Sequence, residues 1–508
     1  MINNYWKQFK SGTDIRGIAT NSVKGEKINL TDNTIKKIVL SFALWLSKRQ
    51  NKSYNKIKIS VGHDSRISAN RIKNVILESL SSIGIHVLDC GLSSTPAMFM
   101  TTVDLNCDSA IQITASHHPF NRNGLKFFTK DGGLESTDIK NILQIAQDEN
   151  YCKTFNKGNI QKIDFMQIYS EHLKNIIKKG VNNTINYDQP LKGFKIIVDA
   201  GNGAGGFYAN DVLKPLGANI EGSQFLEPNG MFPNHIPNPE NKEAMSSASK
   251  ATVNAKADLG IIFDTDVDRG AVVDSDGNEI NRNKLVALAS AIVLDENSGG
   301  TIVTDSITSN GLKDYIENEL SGTQHRFKRG YKNVINEAIR LNKEGVNCPL
   351  AIETSGHAAL RENYFLDDGA YLVTKIIIKM VNLKKQNKNL KSLIETLKEP
   401  LESAEIRIPI LKSNFKETGN NVINGLTYFV KNKTGCNIIK NNYEGIRVNF
   451  DKNNGDGWFL LRLSVHDPIM PLNVESDTKD GVKSILKLIY EYLKDCDGLD
   501  TSKIKKYL

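Results

Sequence analysis

Three aspartates alternate in the stretch DTDVDRG. The run before them, DLGIIF, is apolar enough for a buried strand, so Asp264, Asp266 and Asp268 leave that strand side by side. Carboxylates this close repel one another unless a cation sits among them, and an all-oxygen ligand set suits a hard ion such as Mg2+. A solvated acidic turn is the plainer reading of the same residues. An EF-hand is disfavoured, because its sixth position falls on Arg269 instead of glycine and its twelfth on Ser275 instead of glutamate. A phosphatase that forms an aspartyl phosphate also places D-x-D after a strand, with the first aspartate as nucleophile. The third aspartate and the arginine after it favour a metal cage.

A second stretch, TASHHPFN (114 to 121), sets Ser116 and two histidines after an apolar run and before Pro119. It reads as a nucleophile or as an ordinary polar turn, and nothing marks either histidine as a hydrolase base. VDAGNGAGG satisfies G-x-G-x-x-G with Gly201, Gly203 and Gly206, and Glu221 follows about twenty residues on, as in a dinucleotide fingerprint. A tight turn with close helix–sheet packing explains the same glycines. ETSGH offers Glu353, Ser355 and His357 on a turn, a set able to grip a polyol, or simply a capped strand end. RLSVHDP supplies Arg462, Ser464 and His466, a set suited to a phosphate, although an Arg and a Ser on one strand face are common on surfaces.

These loops need strands to carry them. Strand-like runs that feed Gly, Asp or Ser turns recur in pairs: KIKISVGHDSR with SAIQITASHHP, FKIIVDAGNG with DLGIIFDTDVD, and TIVTDSITSNG with PLAIETSGH. Within the pairs the separations are comparable, 55 positions from Val61 to Ser116, 68 from Val198 to Asp266 and 52 from Val303 to Ser355. One α/β unit used three times accounts for this, with ligands gathering at the carboxyl ends of the strands. After about residue 400 the texture changes to alternating strands (EIRIPIL, GIRVNF, GWFLLRLSV) and a closing amphipathic helix, which predicts an α+β domain. The domains expected are 1–190, 191–299, 300–400 and 401–508.

At 508 residues, 39% of them hydrophobic, the chain can bury several cores. Six cysteines without a C-x-x-C pair suggest neither a disulfide framework nor a thiolate zinc site. The net charge of +8 is spread among interspersed lysines and aspartates, so an anionic small substrate fits as well as nucleic acid, and no nucleic-acid partner is expected. The apolar runs are too short to span a bilayer and the first residues lack a secretory core, so a cytoplasmic protein without a membrane partner is expected.

Taken in this order, TASHHPFNRNGLKF, DTDVDRG, ETSGH and RLSVHDP resemble the α-D-phosphohexomutase superfamily, the phosphoglucomutase and phosphomannomutase group. SGTDIRG, VGHDSRIS and FPNHIPNPE support the likeness, which covers nearly the whole chain. It implies three similar α/β domains, with mixed sheets between helices, and a smaller C-terminal α+β domain around a central cleft. It also implies interconversion of hexose 1-phosphate and hexose 6-phosphate, of glucose or mannose, by a monomer or homodimer. Phosphoglucosamine mutases share the E-x-S-G-H loop, and a catalytically inactive phosphosugar-binding relative is a further alternative.

By the resemblance Ser116 is the phosphorylated serine, and together with Asp264, Asp266 and Asp268 it holds Mg2+. Lys126 is the acid/base lysine, while Arg16 and Arg269 contact the phosphoserine region. Glu353, Ser355 and His357 hold sugar hydroxyls, and Arg462, Ser464 and His466 hold the phosphate that is not transferred. Hexose 1,6-bisphosphate is the activator. The sequence departs from the pattern at His118, where asparagine is usual, at Thr265 and Val267 between the aspartates, at Tyr331 in KRGYK, where histidine is usual in the substrate site, and at His466 and Asp467.

Overall fold

A computed structural model describes residues 2–151, 157–464 and 467–508. The chain divides into two compact units, Met1–Leu285 with Ser355–Ser392, and Val286–Thr354 with Leu393–Leu508.

In the first unit the run KIKISVGH becomes the strand Lys58–His63, flanked in parallel by His86–Leu92 and Ser109–Ile113. The sheet continues antiparallel through Arg122–Thr129 and Asp14–Ile18, so it is mixed. Ile59 and Val61 are fully buried, as are Ile111 and Ile113, because helices such as Asp32–Gln50, Ala69–Ser82 and Ser136–Asp148 bring apolar side chains against the sheet. A second sheet pairs Ile196–Asp199 in parallel with Leu259–Phe263, which turns back antiparallel into Gly270–Asp274. The helix Gly369–Lys384, N-capped by Asp368 accepting from Tyr371 N at 2.9 Å, packs on the helix Phe165–Val181, and Tyr169 Oη donates to Asp368 at 2.7 Å.

In the second unit Thr301–Asp305 lies in parallel between Thr323–Phe327 and Leu350–Ile352. The C-terminal part is an antiparallel sheet in the order Glu402–Pro409, Ile469–Ser476, Gly457–Leu461, Ile446–Phe450, Cys436–Ile438. The helices Phe415–Lys431 and Gly481–Leu493 bury Leu426, Ile485 and Ile489 in the same core as Val448, Phe459 and Leu472. This is the α+β domain expected from the alternating pattern.

The paired runs are neighbours in space. Val61 stands opposite Ile111, Val198 opposite Ile261 and Val303 opposite Ala351, each pair parallel, the first and third central in their sheets and the second at an edge of its own. Parallel pairing puts the carboxyl ends of both strands on one edge, so the turns after Ile113, Phe263 and Ile352 are equivalent positions in three copies of one unit. Among the described residues no helix is long and apolar enough to cross a membrane.

Candidate active site

Ser116 sits one turn beyond the strand Ser109–Ile113, with φ at 50°, in the left-handed region that side chains other than glycine seldom adopt. Two contacts set that turn: Ser116 N donates to Thr114 Oγ1 at 2.8 Å and His118 N to Ala115 O at 3.1 Å. The larger constraint is Arg66. Its guanidinium donates to the carbonyls of Ser116, of His118 at 2.6 Å, of Pro119 at 2.8 Å and of Arg122 at 2.9 Å. Asp64 lies 3.2 Å from Arg66 Nε and accepts from Thr114 Oγ1 at 2.7 Å. Burial raises the Asp64 carboxyl to about 6, with Arg66 opposing the shift. In VGHDSRIS nothing singles out Arg66 except its place in the turn just after a buried strand.

The acidic loop approaches Ser116 through Arg269. Asp264 N donates to Arg269 O at 3.2 Å and Arg269 N to Asp264 Oδ1 at 3.3 Å, so the loop closes on itself between the strands Leu259–Phe263 and Gly270–Asp274. Val267, at its tip, has φ of 68°, a strained conformation for a β-branched residue. Arg269 Nη2 donates to Ser116 Oγ at 3.1 Å and to Asp264 Oδ2 at 3.0 Å, and Ser116 Oγ donates to the same Asp264 oxygen at 3.2 Å. Nucleophile, guanidinium and carboxylate therefore share one hydrogen-bonded cluster. Arg269 Nη2 also donates to His117 Nδ1 at 2.7 Å, which occupies the lone pair a base would need. Burial, together with Arg269, His118 and Arg16, holds His117 down to about 2, and burial with the surrounding arginines holds His118 down to about 3. His117 Nδ1 also lies 3.2 Å from Ser116 Oγ, and both imidazoles are held in the neutral form.

Ligand oxygens of Asp264, Asp266 and Asp268 lie within 4.8 Å of one another, and all three residues are buried. Asp266 Oδ2 accepts from Lys126 Nζ at 3.1 Å and from Thr95 Oγ1, and Asp268 Oδ2 also accepts from Lys126. Asp266 Oδ1 and Asp268 Oδ1 are buried without a hydrogen-bond partner. Burial and its two neighbours raise Asp264 well above the usual carboxylate range; burial also acts to raise Asp268, but Lys126, His357 and Arg269 hold it below. Orphaned carboxylate oxygens in an acidic, oxygen-only cage fit a hard divalent cation. Lys126 faces carboxylates, which favour its charged form. Arg16, opposite Gly124 in the antiparallel pair, bonds Asp14 at 3.1 Å, and its charge acts on both histidines of the serine loop.

The ETSGH loop is divided between the units. In the second, Glu353 Oε1 accepts from Gly330 N at 2.6 Å, and Thr354 Oγ1 donates to Asp305 at 2.9 Å. In the first, Ser355 is buried, and His357 Nδ1 lies 2.6 Å from Asp367 Oδ2 and 3.9 Å from Asp268 Oδ1. Burial would lower His357, but Asp367 and Asp268 raise it to about 9. The structure thus groups His357 with the acidic loop, alongside Asp367, a residue the sequence did not single out. In the second unit Tyr331 begins the helix Tyr331–Lys343, and Arg329 N, two residues earlier, donates to Glu444 at 2.8 Å. Arg462 follows the strand Gly457–Leu461 with its Nε buried and without a hydrogen-bond partner, and Ser464 Oγ accepts from Asp467 N at 3.3 Å. His466 lies outside the described residues.

The glycine motif has a structural use. A Cβ on Gly203 would lie 2.5 Å from Thr265 O, and one on Gly206 2.3 Å from Leu226 O, while Ala204 N donates to Thr265 O at 2.8 Å. Gly203 lets the turn seat the acidic loop and Gly206 admits the backbone at Leu226, so close packing accounts for both glycines.

The models for Phosphoglucomutase/phosphomannomutase alpha/beta/alpha domains I, II and III match residues 8–152, 167–277 and 281–400. A phosphoglucomutase of Neisseria gonorrhoeae is 29% identical over 429 residues, 84% of this chain and 86% of that protein. A phosphomannomutase/phosphoglucomutase of Pseudomonas syringae pv. tomato is 28% identical over 485 residues, 95% of this chain and 94% of that protein. The crystal structure of a phosphoglucomutase/phosphomannomutase family protein from Burkholderia thailandensis superposes with a TM-score of 0.78 at 23% identity, covering 98% of this chain and 99% of that one. Three repeated α/β units with a serine loop against an acidic loop define a phosphosugar mutase architecture. The chain belongs to the phosphoglucomutase/phosphomannomutase family, whose members are phosphotransferase isomerases.

Proposed function

We propose that the protein is a phosphohexomutase that interconverts hexose 1-phosphate and hexose 6-phosphate, of glucose or mannose, through a phosphoserine at Ser116 and a hexose 1,6-bisphosphate. The observation that carries this is the placement of Ser116 Oγ at 3.1 Å from Arg269 Nη2 and 3.2 Å from Asp264 Oδ2, beside the buried acidic cage. A phosphoserine carries a charge of about −1.5 to −2, and Arg269 stands where its oxygens develop.

In the forward half-reaction the P–O bond at Ser116 breaks and a new one forms to a sugar hydroxyl. That hydroxyl would lose its proton to Lys126 in its neutral form, reached once a cation takes over the Asp266 and Asp268 oxygens that bond the amine, and the same proton passes on to Ser116 Oγ as the P–O bond there breaks. The bisphosphate then turns over and returns its other phosphate to Ser116. Asp264, Asp266 and Asp268 would hold Mg2+, which when bound supplies neutralising charge for the phosphoserine. Arg462, Ser464 and His466 are assigned to the resting phosphate. Glu353, Ser355, His357 and Tyr331 are assigned to the sugar, and hexose 1,6-bisphosphate to the activator. A cytoplasmic location and a monomer or homodimer go with this reading.

A phosphatase using Asp264 as nucleophile is the weaker reading, because both Asp264 oxygens already accept from Arg269. The test is to follow 1-to-6 isomerisation of glucose, mannose and glucosamine phosphates with Mg2+ and a trace of hexose 1,6-bisphosphate, with intact-mass analysis of Ser116 and Ser116→Ala. Isomerisation of glucose or mannose phosphate, abolished in Ser116→Ala together with the bound phosphate, is expected. Turnover of glucosamine phosphate alone would reassign the substrate, and phosphate release untouched by Ser116→Ala would establish the phosphatase.

A further inference from the structure

FPNHIPNPE, residues 232–240, places His235 between two prolines in the first unit. His235 is 8% exposed, and both of its ring nitrogens face acceptors. Nε2 lies 3.1 and 3.0 Å from the two Asp199 oxygens, and Nδ1 lies 3.1 Å from Ile236 O. Only an imidazolium donates at both positions; a neutral ring turns a lone pair toward an oxygen.

Asp199 closes the strand Ile196–Asp199 and is held in turn by Gly201 N at 2.9 Å and Gln224 Nε2 at 2.7 Å. The Phe225 ring meets His235 edge-on, with centroids 5.3 Å apart. Gly201, at φ 52°, comes so close that a Cβ there would lie 2.8 Å from Pro237 and 3.2 Å from His235 Cε1. Among the described groups packed on the ring, Asp199 carries the charge.

From His235 the contacts run to the nucleophile. Ile236 O, which accepts from His235, also accepts from Asn238 N at 2.8 Å. Asn238 Oδ1 then accepts from Glu240 N at 3.0 Å and from Arg269 Nη1 at 3.1 Å, and Glu240 stands 3.9 Å from the same nitrogen. Prolines at 233, 237 and 239 stiffen the segment between these anchors. We propose that the His235–Asp199 ion pair is a positioning device: in its charged form it pins the loop 234–240, so that Asn238 and Glu240 hold Arg269 on Ser116. Asp199 raises the His235 pKa against the effect of burial, so the pin is closed at low pH and loosens as pH rises through the His235 midpoint.

The catalytic part of the idea rests on Ser116 being the phosphoryl acceptor, so the test has one arm free of catalysis. In protein labelled at histidine Cε1, the nine histidine signals are titrated and His235 is assigned with His235→Gln. The His235 midpoint is expected above about 6.5, and in Asp199→Asn below it, because the charge that holds the proton is gone. Hydrogen exchange in residues 264–270 should speed up in both variants. In the catalytic arm, phosphorylation of Ser116 by hexose 1,6-bisphosphate should slow by about tenfold or more in His235→Gln, in kcat more than in KM, and should lose its alkaline decline. A wild-type midpoint below about 6.5, or unchanged exchange at 264–270 in both variants, would overturn the proposal. The expected titration shift and faster exchange in a protein whose Ser116 takes no phosphate would sink the mutase reading and leave the pin standing.

Discussion

Arg66 is buried, its side chain wholly so, and each of four backbone carbonyls between Ser116 and Arg122 accepts from it. Replacing it by Met would leave those oxygens and the Asp64 carboxylate without their donor. An unsatisfied buried acceptor costs about 1–3 kcal/mol, but water can enter beside the loop, and Asp64, already raised to about 6, can take up a proton. The net loss is therefore set near that for breaking one partner from a buried ion pair, about 3–5 kcal/mol. Arg66→Lys is the sharper variant. It keeps the charge, yet three N–H donors cannot serve four carbonyls and a carboxylate, and a loss of about 2–3 kcal/mol is expected.

Ser116 is held in a left-handed conformation that costs about 1–2 kcal/mol. Once the clamp weakens, the loop relaxes and the nucleophile leaves Arg269. Hydrogen exchange of a peptide covering 109–129 reads this locally: about 2 kcal/mol corresponds to roughly 30-fold faster exchange at Ser116 and His118 in Arg66→Lys. Turnover should fall about 100-fold. Exchange within twofold of wild type, with Ser116 phosphorylation intact, would refute the clamp.

Mg2+ should raise the melting temperature with a concentration dependence approaching about 2.7 kcal/mol at 100 times its Kd, and Asp266→Asn should lose that shift; an equal shift in the variant would move the cation elsewhere. Lys126→Met should cut kcat by about 10²- to 10⁴-fold with little change in KM, and unimpaired turnover would remove its proton-transfer role. In the second unit, burial raises Glu475 from 4.5 to about 7 despite Arg447 and its bond from Trp458 Nε1 at 2.9 Å. The folded state holds this proton more tightly than the unfolded one, so stability should decline as pH rises from about 4.5 through 7. Glu475→Gln should flatten the decline and gain about 1–3 kcal/mol at pH 8, as denaturation across that range would show.

Much of this molecule was legible in the sequence, because β-strand burial leaves a local trace. The apolar runs ending at Ile113, Phe263 and Ile352 and the turn residues after them mark three copies of one unit, and the alternation after residue 400 marks the antiparallel sheet. Ser116 and the three aspartates were legible too, since closely spaced carboxylates after a buried strand have few stable uses. The tertiary structure decided what those residues face. Arg66 reaches the serine loop across 50 positions and Arg269 reaches Ser116 across 153, so neither contact leaves a periodic signal in the chain. It also brought Gly203 of VDAGNGAGG close against the acidic loop, and set His357 beside Asp367 and Asp268. The physical reason is the same throughout: residue type and local spacing set what a side chain can do, whereas its charge state and its partner depend on which distant backbone is folded against it.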